Sequence, residues 1–240
     1  MKKLLLALFL LGAAASFGQR TDLSFGIGST YTYQHWSNAS EKMIGDQTNG
    51  RHIQLGLTIL PKSGRFAWFA QVAFNANGSR IPLNQSSDYD PNHISSDFLA
   101  NSASLTLGIK KIGLLGLKNA YLSLGVRGEY AIRYNPYTDF SMIPLGPLSD
   151  PTIMVYKTYD FRTFNYGLSI AAGYNFQIFK RFQIGIEASV LPDISNQAYL
   201  HASTEYAGLT PVAVPELAIR NTAVQLSCLF HLLGKAFKNS

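Results

Sequence analysis

The feature that most constrains this chain is a two-residue alternation that restarts eight times. From Leu23 the odd positions read Leu23, Phe25, Ile27, Ser29, Tyr31 and Tyr33, and the even positions read Ser24, Gly26, Gly28, Thr30, Thr32 and Gln34. One row is largely apolar and aromatic; the other is small and polar. A period of two belongs to a β-strand whose two faces meet different surroundings. The pattern returns near residues 51–59, 66–75, 99–109, 122–134, 164–176, 182–190 and 224–232. Each apolar row is about ten residues long, the length a tilted strand needs to cross a bilayer. The polar rows are rich in Gly, Ala and Ser, which suits the inside of a narrow cylinder. The sequence predicts an all-β fold, an eight-stranded antiparallel up-and-down transmembrane β-barrel.

The N-terminus reads as a secretory leader. Lys2 and Lys3 precede the apolar run from Leu4 to Ala15, and Ser16 and Gly18 fit a cleavage before Gln19. The expected organisation is therefore a signal peptide over residues 1–18 and one barrel domain over 19–240. The alternative, an uncleaved anchor, requires a longer apolar run than this one. A lipocalin-like soluble barrel also alternates, but it turns its apolar face inward. The one cysteine, Cys228, permits no intrachain disulfide and reads as a small hydrophobe on the apolar face of the last strand.

Connections alternate in length. Residues 35–49, 76–97, 135–160 and 191–217 are long, and 60–65, 110–119 and 177–181 are short. Barrels of this class have long extracellular loops and short periplasmic turns, which places both termini in the periplasm. Charge sorts the same way. The long connections hold three basic residues against eleven acids, a balance of −8, whereas the short turns and the tail hold nine basic residues and no acid. Basic turns of this kind can hold anionic headgroups. Loops 135–160 and 191–217 are also rich in Pro, aromatic and aliphatic residues, more than solvated tails usually are. They are the expected contact for a protein partner.

Aromatic residues at strand ends predict interfacial girdles. Tyr31, Tyr33, Trp36, Tyr130, Tyr134 and Tyr166 fall at one rim, and Trp68 and Tyr174 at the other. Inward parity places Arg127, Glu129, Arg133 and Glu187 in the lumen, where lone charges are costly and an ion-pair network is expected. Such a network reads either as a plug or as the constriction of a narrow small-solute channel. His52 and His231 point inward as lumen polar groups. No metal cluster, cofactor motif or phosphate loop is present, and basic residues confined to turns argue against nucleic acid. Lipid is the expected surrounding of the outer wall.

Residues 35–39 read His-Trp-Ser-Asn-Ala. This is similar to the His-x-Ser-Asn motif of the outer-membrane lipid A deacylases, in which the resemblance implies His35 as base and Ser37 as nucleophile. The motif follows the first strand here, whereas that family carries it late in the barrel. The place of an orienting glutamate falls near Asn49. The mature chain as a whole, with a leader ending in Phe17-Gly18-Gln19, resembles the small outer-membrane β-barrel proteins of Bacteroidota, the PorT-like group. That resemblance implies a non-enzymatic outer-membrane barrel serving adhesion, envelope integrity or a multi-protein complex.

Overall fold

A computed structural model describes residues 20–37, 42–44, 46–60, 66–82, 95–114, 116–134, 140–144, 152–206, 212–213 and 217–234. The leader lies outside the described residues. Trp36, Ser37, Arg133 and Tyr134 are placed within strands, and their side chains lie outside the described part. The elements in chain order are β1 (Arg20–Ser37), β2 (Lys42–Ile44), β3 (Asp46–Leu60), β4 (Phe66–Pro82), β5 (Ser95–Leu114), β6 (Leu117–Tyr134), β7 (Phe140–Pro144), β8 (Thr152–Phe161), β9 (Phe164–Phe179), β10 (Phe182–Pro192), β11 (Ala198–Tyr206), β12 (Val212–Ala213) and β13 (Leu217–Leu233).

Eight of these close the cylinder in the order β1-β3-β4-β5-β6-β9-β10-β13, and β13 pairs back onto β1 from Asp22↔Leu233 to Ser37↔Ala218. Every pairing is antiparallel. Closure removes the open edges that a flat sheet would leave. The tight turn between β5 and β6 uses Gly113 and Gly116 at φ 81°, in the left-handed region that glycine enters without a Cβ clash.

The alternation resolves into two faces. Leu105, Ile170 and Ile186 are 48%, 43% and 53% exposed on the outside, so they do not form a central core. The groups between them on the same strands, Ser104, Ser169 and Glu187, are buried inside. Leaving this belt in water would forgo roughly 1.5–3 kcal/mol for each large apolar side chain, and soluble monomers rarely expose so large a patch. Hydrocarbon is the solvent that fits the wall. Cys228 lies half-buried on that wall.

The long connections are corrected in one respect. They are not loops throughout, because the barrel strands run past the belt and new strands follow. β8 pairs with β11 from Phe161↔Ala198 to Ile153↔Tyr206, β7 pairs with β8, and β11 pairs with the start of β13. The sheet made by β9, β10 and β13 thus continues beyond short breaks at residues 162–163 and 193–197. Both ends of the described chain, the start of β1 and the end of β13, lie at the opposite, short-turn end.

Candidate functional site: a filled polar lumen

The lumen is built by one repeated device. A glycine on a middle strand carries no side chain, so groups on the two flanking strands meet across it. His52 and Ser227 are both register partners of Gly28, and His52 Nε2 lies 2.8 Å from Ser227 Oγ. A Cβ on Gly28 would stand 2.6 Å from the imidazole and 2.0 Å from the Leu226 carbonyl oxygen. Tyr121 and Glu187 are both partners of Gly173, and the Tyr121 hydroxyl donates to Glu187 Oε2 at 2.7 Å. A Cβ on Gly173 would sit 2.4 Å from that hydroxyl. Arg127 pairs with Gly167, Gly167 bridges to Asp193, and the Arg127 guanidinium bonds the Asp193 carboxylate across the gap. Phe69 lies over both Gly108 and Gly125, whose added Cβ atoms would come 2.7 and 3.2 Å from its ring. The inward apolar Phe69 is thereby accommodated without displacing the polar groups around it.

These bridges divide the lumen into connected clusters. Toward the long connections, Arg127 Nη1 stands 2.7 Å from Glu129 Oε2, an ion pair off the line of an N–H bond, while Nη2 holds Asp193. Gln197 Nε2 donates to Asp193 Oδ2 at 2.5 Å, and Asn221 Nδ2 donates to Gln197 Oε1. In the middle, Gln225 Nε2 donates to Thr30 Oγ1 at 3.2 Å and to Asn75 Oδ1 at 3.0 Å, and Asn75 Nδ2 donates to Ser104 Oγ at 3.2 Å. Thr30 Oγ1 also lies 3.0 Å from His52 Nδ1. Toward the short turns, Gln71 donates to Gln54 at 2.7 Å and Gln54 donates to Glu187 Oε1 at 3.4 Å. Lys110 Nζ stands 4.2 Å from the centre of the Tyr121 ring, a cation–π contact. At that end His231 Nδ1 lies 2.9 Å from Asp22 Oδ2.

Among the described residues, the lumen charges read from the sequence fall into separate clusters. Arg127 and Glu129 meet; Glu187 is held apart from them by Tyr121 and Gln54; the Arg133 side chain lies outside the described residues. Several participants escaped the sequence reading, three of them with a charge or ring at the centre of a cluster. Asp193 counted there as a loop acid and Lys110 as a turn cation, yet both are buried in the lumen. Tyr121 was assigned to neither face, and it is 2% exposed inside. Parity continued one residue beyond the read limits of the two strands would have turned Lys110 and Tyr121 inward. Asp193 keeps the same inward parity as Glu187 and Ser189, but it lies three residues past the read limit at Val190 and beyond the end of β10 at Pro192.

Between the described lumen residues one gap is small. A cavity of about 10 Å³ survives between Phe69, Asn75, Arg127, Glu187 and Gln225. A volume of that size is about one water-sized sphere. Among the described residues no group of three metal-ligating side chains converges.

The outer features sit apart from this cluster. Tyr33, Tyr130 and Tyr166 are exposed on the wall toward the long connections, where Tyr31 is half-buried. Trp68 is exposed toward the short turns, and half-buried Tyr174 packs 4.9 Å from the Phe176 ring. His35 is exposed at the loop end of β1 and pairs in register with Arg220 and Ile44. Asn49 is opposite Tyr31, not His35.

No family model and no curated protein matches the chain. Solved structures with a similar outline include Neisserial surface protein A, at 9% identity and TM-score 0.36, over 89% of this chain and 97% of that one. The outer membrane protease OmpT from Escherichia coli aligns at 12% identity and TM-score 0.39, over 90% and 96%. Ail, the attachment invasion locus protein of Yersinia pestis, solved with the heparin analogue sucrose octasulfate, aligns at 15% identity and TM-score 0.34, over 88% and 99%. The likeness is one of general form and carries no function to this chain.

Proposed function

We propose that this chain is an integral outer-membrane β-barrel of the PorT-like kind, non-enzymatic, which presents its long connections to a protein partner within an outer-membrane complex. Both termini then face the periplasm. The observation that carries the reading is the filled lumen. With about 10 Å³ left between Arg127, Glu187 and their neighbours, the barrel supports a scaffold better than a conduit for solutes. The β8–β11 pairing adds a second support, because it stiffens part of regions 135–160 and 191–217 into sheet. Ordered strands lose less entropy on binding than free loops do.

The test is recovery of the tagged chain from native outer membranes after cross-linking. A companion in fixed proportion is expected, and it should be lost when residues 140–161 are replaced by a short turn while the barrel still inserts. Recovery of the intact chain alone would remove the reading. Planar-bilayer recording checks the lumen: no steady current is expected, and a reproducible one would restore the channel.

A further inference from the structure

The short-turn end carries a set of cations that the lumen does not use. Lys110 and Lys111 are adjacent in β5, and the pleat sends them to opposite faces. Lys110 is buried against Tyr121, whereas Lys111 is exposed on the outer wall. Lys111 is the register partner of Phe66, and its Nζ stands 5.8 Å from the Phe66 ring centre. Two residues further up β4, Trp68 is 66% exposed opposite Ile109. A lysine thus stands at the lower margin of the apolar belt, beside the aromatic side chains that mark where hydrocarbon gives way to headgroups. Arg20, Lys118, Lys180 and Arg181 are exposed at the same end, around the rest of the circumference. Among the described residues none of these five cations has a carboxylate partner. The acid at this end, Asp22, is engaged by His231.

We propose that this collar, centred on Lys111 beside Phe66 and Trp68, binds the phosphate groups of anionic phospholipids in the leaflet at the short-turn end. The ligand belongs to the bilayer because the cation and the belt are continuous: an acyl chain lying along Trp68 and Phe66 brings its own phosphate to the height of Lys111. A net negative headgroup is preferred to a zwitterionic one because no protein carboxylate neutralises the collar. The inference rests on the barrel spanning a membrane and is independent of which partner the long connections bind.

The chain has two tryptophans, Trp36 and Trp68, so the Trp36→Phe protein carries a single reporter next to the proposed site. It is reconstituted in phosphatidylcholine vesicles with a fixed fraction of brominated lipid, and quenching of Trp68 is measured. Brominated phosphatidylglycerol should occupy the site about fivefold more than brominated phosphatidylcholine at low salt, as expected for one cation near an anionic surface. The preference should fall toward one in high salt and in Lys111→Gln, and return in Lys111→Arg. Equal quenching by the two lipids in the Trp36→Phe protein would overturn the proposal, as would a preference that Lys111→Gln leaves intact. Absence of quenching by brominated phosphatidylcholine alone would refute the membrane reading itself, a different outcome from loss of headgroup preference.

Discussion

Two pairs of side chains meet across a glycine inside the same cylinder, and they are made differently. Toward the long connections, Arg127 and Asp193 meet across Gly167 as a guanidinium and an acidic carboxyl group. Toward the short turns, Tyr121 and Glu187 meet across Gly173 as a neutral donor and a charged acceptor. The backbone around them differs too. Glu187 sits inside a regular ladder between β9 and β13, which fixes its place without help. Asp193 lies just past the end of β10, where the chain leaves the ladder. Its N–H reaches the Asn221 carbonyl, and the next two N–H groups share the Tyr166 carbonyl. The ion pair thus falls where the regular ladder stops, adding to the few backbone bonds that hold the irregular segment 193–197. A neutral hydroxyl suffices where the strands already hold the geometry.

Breaking the charged pair should have the largest effect. Arg127→Met leaves Glu129 and Asp193 buried without a cation, and a cost of about 3–5 kcal/mol is expected. Urea unfolding of the lipid-reconstituted barrel, followed by tryptophan fluorescence, measures it. A cost near zero would mean that the ion pair is not what fastens residues 193–197. Tyr121→Phe removes one donor from Glu187 but leaves Gln54 in place, so about 1.5–3 kcal/mol is expected in the same assay. If it equals or exceeds Arg127→Met, the contrast between the two halves disappears.

Gly173→Ala sharpens the comparison by testing the gap. The added methyl would stand 2.4 Å from the Tyr121 hydroxyl, and displacing that ring should cost about 1–3 kcal/mol. The effect should be less than additive with Tyr121→Phe, because both changes lose the same hydrogen bond. Full additivity in a double-mutant cycle would separate the glycine from the bond. The smallest effect is expected of Glu187→Gln, at most about 1 kcal/mol. The amide oxygen still accepts from Tyr121, the long 3.4 Å bond from Gln54 is given up, and the burial of a charge is relieved. A loss comparable to that of Arg127→Met would show that the Glu187 charge is needed after all, with Lys110 across the Tyr121 ring as its counterpart.

Much of this architecture was legible in the chain. The parity that set Leu23, Phe25 and Ile27 against Ser24, Gly26 and Gly28 also turned Arg127, Glu129, Glu187, His52 and His231 inward, because a side chain's face depends only on its own strand. The limits of that logic show at the strand ends. The strands run longer than the apolar rows, so Lys110 and Tyr121 fell outside the read segments although they obey the same parity. Residues 135–160 and 191–217 read as loops because short strands pairing outside the apolar belt need no apolar row to specify them.

The sequence by itself determined the two faces, the number of membrane-length strands and the sorting of charge toward the two ends, since each depends on residue type and local spacing. Only the tertiary structure decided which lumen groups meet. Arg127 and Asp193 are 66 residues apart, as are Tyr121 and Glu187, and each pair is joined only by the register of three strands across a glycine. Register is a collective property of closing the sheet: a slip between any two strands would leave every alternation in place while matching different partners. Hence the composition of the interior could be read one strand at a time, and its bonding could not.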